Sequence, residues 1–381
     1  MNSQLIIHDS QPPVRATIDL DAIASNYRLL RERVGPNRAV YAVVKADAYG
    51  HGAPAVARRL AGEGADCFAV AHTEEGVALR RAGVRGEVLL LSHAEPSDLP
   101  RQRSYGLTPT LYDSAQARAI AQAAIGLAEP VRVHLEIDTG MGRAGIRPEE
   151  LDSMIALLKA SPRLELAGTF ANLSCADDPS SPETGRQIEA LLACVQRLRA
   201  AGVPPGTVHA ANSAGVLGHP DAWLDAVRPG LALYGVPSSP AFGGAGLIPA
   251  MTLETTVIAV RRVPAGTSLG YGGRFVAPRD TTVAVIPIGY HDGFRRSFSG
   301  KIGVLLRGRR APVVGAISMD VTLVDATDSG AERGDRVVCL GAQGGEAVTA
   351  WDLAAAALTI PYEILCGIGP RVARVHTMRG A

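Results

Sequence analysis

The chain has 381 residues, 47% hydrophobic and 20% charged, with a net charge of +1, which suits two packed domains and excludes disorder or a polyanion-binding surface. No basic cluster is interleaved with aromatics, so a nucleic-acid partner is not expected, and the five cysteines (Cys67, Cys175, Cys194, Cys339 and Cys366) lack C-x-x-C spacing, which fits neither a disulfide framework nor a zinc site. With no basic-then-apolar leader and no run near the ~18 apolar residues of a membrane helix, a cytoplasmic protein without metal or membrane contacts is expected.

From about Thr17 to Tyr234, short apolar runs alternate with helical periodicity. The strand candidates are residues 40–44, 67–71, 87–91, 107–111, 131–137, 164–170, 207–211 and 227–234. Between them, Leu151, Met154, Ile155 and Leu158 fall on one helical face, as do Ile188, Leu191, Leu192, Val195 and Leu198 on another. Asp113-Ser114 and Arg147-Pro148 read as helix starts, and Gly83 and Gly202 as stops. Eight strands alternating with helices predict a (β/α)₈ TIM-like barrel, with an open doubly wound sheet as the rival that pattern alone leaves standing. The missing G-x-G-x-x-G after the first strand counts against that rival.

After Val236 the composition changes. A Pro/Gly/Ser-rich connection, residues 237–249, leads to strand-like runs at 255–263, 281–287, 302–306, 311–317, 321–324 and 336–340, a helical patch at 349–358 and a last run at 373–375. Such spacing predicts a mostly antiparallel β domain. The expected domains are 1–240 and 241–381, with the first dozen residues free to pack on the second.

The chemistry begins at Lys45, which ends the apolar run 39–44 and precedes Ala46-Asp47-Ala48-Tyr49-Gly50-His51-Gly52. An amine at the mouth of a buried strand is partly desolvated, which lowers its pKa and leaves free base able to form a Schiff base with a carbonyl group. In a barrel, residues just beyond each strand converge on one end. Here those positions carry Lys45 and Tyr49, then 138–143 with Arg143, then Asn172, Asn212-Ser213, and Arg228-Pro229-Gly230. Lysine, arginines, hydroxyls and glycine backbone together suit an anionic ligand bearing a carbonyl.

The run 42–52 resembles the cofactor-lysine motif of the alanine racemases. The likeness continues in family order through Asp138-Thr139-Gly140-Met141-Gly142-Arg143, Ala211-Asn212-Ser213, Val227-Arg228-Pro229-Gly230, Leu269-Gly270-Tyr271-Gly272, Pro287-Ile288-Gly289-Tyr290, Ile317-Ser318-Met319-Asp320 and Pro361-Tyr362-Glu363. That family depends on pyridoxal phosphate and pairs a barrel with a β domain. The resemblance implies that Lys45 holds the cofactor as a Schiff base and serves as base on one face of the substrate, with Tyr271 of the other subunit of a head-to-tail homodimer on the opposite face. It implies that Arg143 and the partner subunit's Met319 backbone amide meet the substrate carboxylate and that Arg228 meets the pyridine nitrogen. Tyr49, Ser213, Gly230, Leu231 and Tyr362 would bind the phosphate. Tyr290 would line the entrance, and Asp320, next to Met319, would support it.

Two positions depart from the family pattern. Glu136 stands where many relatives carry a lysine whose carbamate orients the carboxylate-binding arginine, so its own carboxylate is expected to reach Arg143 directly. Asn172 stands where a histidine packs on the cofactor ring, and an amide stacks poorly. His134 and His209, inside apolar strands, read as satisfied core residues, His51 as an orienting group, and Arg295-Arg296 and 307–310 as solvated turns. The expected activity is racemisation of alanine, supplying D-alanine for cell-wall peptidoglycan. The alternatives are a racemase of serine or of broader specificity, a barrel decarboxylase that would want an acid in place of Arg228, and a non-catalytic cofactor-homeostasis protein that would not need Tyr271.

Overall fold

The computed structural model describes residues 13–92 and 95–378. It forms two compact units, one of residues 20–249 and one joining the segment up to Asp19 to everything from Ala250 onward. The Pro/Gly-rich segment therefore stays with the first unit, and the break falls later than the composition change suggests. Asn26 explains why. Its amide donates to the Leu233 and Ile248 carbonyls at 3.0 and 2.8 Å, and Ile248 N donates back to its Oδ1 at 2.8 Å.

The strand β1 (Val14–Asp19) belongs to the second unit. Within the first unit the strands are β2 (Ala39–Val43), β3 (Cys67–Val70), β4 (Glu87–Leu90), β5 (Thr110–Leu111), β6 (Val131–Glu136), β7 (Leu164–Phe170), β8 (Thr207–His209) and β9 (Ala226–Val227). They form one eight-stranded parallel sheet in the order β4-β3-β2-β9-β8-β7-β6-β5. Its two ends meet: Leu90 N donates to the Thr108 carbonyl and Thr108 N to the Val88 carbonyl, each at 2.9 Å. The sheet is therefore closed, and the open-sheet rival falls. The run 227–234 is not one strand. Pro229 and Gly230 end β9 after two residues, and Leu231–Tyr234 is a single 3-10 turn.

The helices pack as their spacing predicts. Leu151–Ala160 buries Leu151, Met154, Ile155 and Leu158, while Glu183–Ala200 buries Ile188, Leu191, Val195 and Leu198 but leaves Leu192 exposed. Asp113 Oδ1 caps Ser114–Ala123 by accepting from Gln116 N at 2.7 Å, and Gly202 at φ +75° closes the turn after Glu183–Ala200. The barrel interior is less apolar than its strands suggest, because Tyr41, His134, His209, Glu136 and Arg228 are all buried within it.

The second unit is a ten-stranded sheet, antiparallel except where β1 runs parallel to Ala373–Thr377. The run 255–263 is two strands, Met251–Thr256 and Ala259–Val263, which lie far apart in the sheet order. β1 lies between Met251–Thr256 and Ala373–Thr377, burying Val14, Ala16 and Ile18 on alternate positions. Buried Glu254 clamps it, accepting from Arg15 Nε at 2.5 Å and pairing also with Arg336 on the neighbouring strand. The helix Ala350–Ala357 starts with a Thr349 cap that accepts from Asp352 N at 3.0 Å.

Candidate active site

The barrel chain leaves β2 through Val44 and reaches half-buried Lys45. Next come four consecutive residues, Ala46 to Tyr49, with φ between 52° and 55° and ψ between 41° and 49°, a left-handed turn without glycine. For L-residues this costs roughly 1–2 kcal/mol each, so the surroundings must enforce it. Glu75 accepts from Ala46 N at 2.6 Å and from Ala71 N at 2.7 Å, and Asp47 Oδ1 accepts from Ala53 N at 2.8 Å. On the far side, His51 Nδ1 sits 2.9 Å from the Ala48 carbonyl and 3.0 Å from the Tyr49 carbonyl, with its ring stacked on Tyr234 at 4.5 Å. Tyr234 in turn donates its hydroxyl to the Val43 carbonyl at 2.8 Å. His51 thus orients the lysine turn as its place in the motif suggests. Glu75 and Tyr234 are supports that no local motif announces.

Tyr49 points back across the barrel mouth onto Gly230, where a Cβ would stand 2.4 Å from the phenol oxygen. Only glycine admits that approach. Buried Ser213, just after the Asn212 cap, accepts from Gly230 N at 2.9 Å and from Ala232 N at 3.2 Å. Hydroxyls of Tyr49 and Ser213 and the amides of Gly230, Leu231 and Ala232 are thereby gathered into one cradle.

Arg228 lies just beyond β9, fully buried. Its Nη1 donates to His209 Nδ1 at 2.5 Å, and its Nη2 reaches the Ala171 carbonyl at 2.8 Å, Asn172 Oδ1 at 3.1 Å and the Ala210 carbonyl at 3.2 Å. The Phe170 ring lies under the guanidinium at 4.8 Å. The Nε donor has no hydrogen-bond partner among the described residues. Burial pulls this arginine down to about 10 while Glu136 pulls it up, so it stays charged at neutral pH. Burial, helped by the charge of Arg228, pushes His209 well below its ordinary range and keeps it neutral.

Glu136 does not do what was expected of it. Among the described residues it makes no hydrogen bond to Arg143. Its Oε1 accepts instead from Asn172 Nδ2 at 2.6 Å, and Arg143 acts on it only through its charge. The reason lies in the loop between them. Asp138 folds that loop back on itself by accepting from Gly140 N, Met141 N and Gly142 N at 3.1, 2.9 and 3.0 Å, which leaves Arg143 exposed with no ion pair among the described residues. Asn172 likewise is a bridge between Glu136 and Arg228, a role that the lost stacking did not suggest. Burial raises the Glu136 carboxyl above its usual range, against the Asn172 bond and the two arginines. Buried Gln187, absent from the sequence reading, ties the parts together, accepting from Ser174 N at 2.8 Å and donating to the Asn172 carbonyl at 3.1 Å.

The second unit holds the remaining candidate residues. Tyr271 stands on a glycine turn with Gly270 and Gly272 both at φ +72°, and is 67% exposed. Tyr290 and Met319 are brought together: a Cβ at Gly289 would lie 2.3 Å from the Met319 carbonyl, and Tyr290 N donates to the Ser318 carbonyl at 3.0 Å. Asp320 pairs with Arg371 at 2.7 Å, and Arg371 also grips buried Asp292 through two bonds of 2.5 and 2.9 Å. Asp292 caps this turn by accepting from Gly289 N at 2.9 Å. Tyr362 lies half-buried in Pro361–Cys366, beside Glu363, which pairs with Arg295 at 2.8 Å. Arg295 is therefore engaged in an ion pair, as are Arg307 with Asp335 at 2.7 Å and Arg310 with Asp352 at 3.3 Å.

The donor set fits pyridoxal phosphate: an amine for the aldehyde, hydroxyls and amides for the phosphate, and a buried guanidinium with an unengaged Nε for the ring nitrogen. A closed barrel presenting this set at the ends of its strands is by class a pyridoxal-phosphate enzyme. The family model for the alanine racemase N-terminal domain matches residues 18–238, and that for the C-terminal domain matches 250–376. Alanine racemases of Symbiobacterium thermophilum and Geobacter sulfurreducens are 42% and 41% identical to the chain, each covering 97% of it and 98% of its relative. Among solved structures, an alanine racemase from D-cycloserine-producing Streptomyces lavendulae superposes with a TM-score of 0.93 at 36% identity, covering 97% of this chain and 98% of that one. The Bacillus anthracis alanine racemase with bound L-Ala-P gives 0.92 at 31%, covering 98% and 97%. The chain belongs to the alanine racemase family, and its cofactor is pyridoxal phosphate.

Proposed function

We propose that the protein interconverts L- and D-alanine, with Lys45 and the partner subunit's Tyr271 moving the Cα proton on opposite faces of the substrate in a homodimer. The observation that carries this reading is the buried Arg228, a donor-only group where a transaminating or decarboxylating enzyme would want an acid. The bound cofactor supplies the electron sink that lets the Cα proton leave. Arg228 keeps the ring nitrogen an unprotonated acceptor, which weakens that sink and favours prompt return of a proton to Cα.

The other residues bind and orient. Tyr49, Ser213 and the amides of Gly230 and Leu231, with Tyr362, hold the phosphate. Asn172 holds Arg228 through its Nη2, leaving the Nε donor to meet the ring nitrogen. Arg143, exposed and without an ion pair among the described residues, receives the substrate carboxylate, joined by the partner subunit's Met319 N, while Tyr290 lines the entrance and Asp320 steadies the Met319 turn through Arg371. Lys45 Nζ takes or gives the proton on one face and the Tyr271 hydroxyl on the other. We place this activity in the cytoplasm, supplying D-alanine for peptidoglycan. No helix among the described residues is long and apolar enough to cross a membrane.

Following the optical rotation of L-alanine and of L-serine in parallel tests the reading. Decay to a racemate with alanine, at a rate well above that with serine, is the expected result. Lys45→Ala should lose the visible absorbance of the lysine-bound cofactor and at least ~10³-fold of the rate, since tether and base vanish together. Near wild-type racemisation by that variant would sink the assignment.

A further inference from the structure

The barrel interior holds a line of polar groups that the reaction as described does not use. It starts at Arg228 and runs inward. His209 Nδ1 is 2.5 Å from Arg228 Nη1, and His209 Nε2 is 3.0 Å from His134 Nδ1. His134 Nε2 in turn faces Glu87 Oε1 at 3.4 Å. Tyr41 donates its hydroxyl to Glu87 Oε2 at 2.8 Å, and Thr108 donates to Oε1 at 3.3 Å. Both histidines are fully buried, and Glu87 lies at the start of β4, on the opposite end of its strand from the active-site loops.

Donor chemistry fixes the direction of every bond in this line. A guanidinium can only donate, so His209 Nδ1 must accept and its proton must sit on Nε2. That proton points at His134 Nδ1, which must therefore accept, and the His134 proton is forced onto Nε2, facing Glu87. The tyrosine and threonine hydroxyls also point at Glu87. All the protons run one way and end on a carboxyl group that acts as acceptor towards each of them. Against the opposing effect of burial, the nearby His134 ring and the Tyr41 hydroxyl hold Glu87 down at about 2.

The slot around the line is shaped for these rings. His209 is stacked between Tyr41 at 5.2 Å and Phe170 at 4.9 Å, with interplanar angles of 21° and 15°. A Cβ at Gly168 would stand 2.4 Å from His134 Cε1, so a glycine in β7 leaves the room that the ring fills. Neither ring can flip without breaking these contacts: a flip of His209 would set Arg228 against a C–H, and the other tautomer would set it against an N–H.

We infer that Glu87 and His134 are positioning residues that set the tautomer of His209 and through it hold Arg228 in register with the ring nitrogen of the cofactor. This rests on the reading of Arg228 given above. Glu87 is the anchor, because it alone breaks the symmetry between the two tautomers at the inner end, as Arg228 does at the outer end. Arg228 keeps three further acceptors, so losing the anchor loosens the guanidinium without freeing it.

The test is made on the full-length protein labelled with ¹⁵N-histidine, free of cofactor and then loaded. In the unsubstituted protein both His134 and His209 are expected with the proton on Nε2 and Nδ1 accepting. Glu87→Gln removes the charge at constant shape. It should mix the His134 tautomers, shift the His209 signals and lower kcat roughly tenfold while KM for alanine stays within about twofold, since Arg143 is not in the line. Glu87→Asp, which keeps the charge, should recover both tautomer and rate. If Glu87→Gln fails to fold, Tyr41→Phe removes one donor from the carboxylate and should move the same signals less far.

Histidine signals unchanged in a folded Glu87→Gln protein, or changed signals with unchanged kcat, overturn the inference. Should the unsubstituted protein not racemise alanine, the reaction assignment falls on its own. The tautomer response in the cofactor-free protein then still decides whether the line exists.

Discussion

Asn172 holds Glu136 and Arg228 apart and together: its Nδ2 donates to Glu136 Oε1 at 2.6 Å while its Oδ1 accepts from Arg228 Nη2 at 3.1 Å. An amide suits this position because it offers one donor and one acceptor to two groups of opposite charge. It also means that Glu136 offsets the buried charge of Arg228 at one remove, while acting on Arg143 only through its field. Since Glu136 needs no carbamate, racemisation should be indifferent to bicarbonate and dissolved CO₂.

Glu136→Gln keeps an oxygen for Asn172 and removes the charge. We expect KM for alanine to rise by up to about tenfold through the lost field at Arg143, a loss on the order of 1 kcal/mol. Stability should move the other way. The carboxyl is raised in the folded state, so its contribution is fully present below its unfolded pKa and is lost as pH climbs through the folded value. The neutral variant escapes that loss. Its Tm relative to wild type should therefore grow more favourable as pH rises from acid towards neutral, and a difference flat with pH would mean that Glu136 sits comfortably ionised.

Gly230→Ala tests the phosphate cradle. Gly230 has φ −119° and ψ −85°, and a Cβ there would clash with the Tyr49 hydroxyl at 2.4 Å. The phenol must swing out of the cradle, and cofactor affinity, read by titrating the apoprotein, should fall roughly 10–100-fold, worth about 1.4–2.8 kcal/mol. Adding Tyr49→Phe relieves only the closest contact, so it should recover part of the protein's stability but not the affinity. Unchanged affinity in Gly230→Ala would remove Tyr49 from the cradle.

What the sequence disclosed and what it withheld divide along a physical line. Lys45, Tyr49, Arg143, Ser213 and Arg228 sit in short contiguous segments whose residue types the ligand chemistry dictates, so they could be read one segment at a time. β1 could not be read that way, because a six-residue strand acquires its meaning only from Met251–Thr256 and Ala373–Thr377, far along the chain. His134 and His209 look like core histidines because each is flanked by apolar strand residues. Their roles appear only when closure of the barrel puts them 3.0 Å apart. Glu136 was the instructive error. The family pattern points it at Arg143, but the Asp138 turn carries Arg143 away and Asn172, just beyond β7, lies alongside.

Shared sites predict complementation. Lys45 belongs to the barrel unit, while Tyr271 and Met319 belong to the β unit and are large side chains 67% and 51% exposed, as the proposed homodimer requires. Mixing inactive Lys45→Ala protomers with inactive Tyr271→Phe protomers should yield heterodimers with one intact site in two. After full exchange about a quarter of wild-type activity should return, from statistics alone, if the dimer is as proposed. No recovery after confirmed subunit exchange would show that each chain builds its own site.

Glu87 gives a pH prediction of opposite sign to that of Glu136. Its folded-state pKa is depressed, from an ordinary 4.5 to about 2. The stability it contributes is therefore present above about 4.5, and it drains away as pH falls through about 2. The full linkage corresponds to up to about 3 kcal/mol, with the long 3.4 Å approach of His134 arguing for less. Glu87→Gln should be less stable than wild type at neutral pH, and the two denaturation midpoints should converge as the medium is acidified, wild type losing stability towards the variant. Glu87→Asp should keep most of the pH dependence. Midpoints that stay parallel across the acid range would mean that Glu87 carries no special charge in the fold, and that the inner end of the histidine line is held by Tyr41 and packing alone.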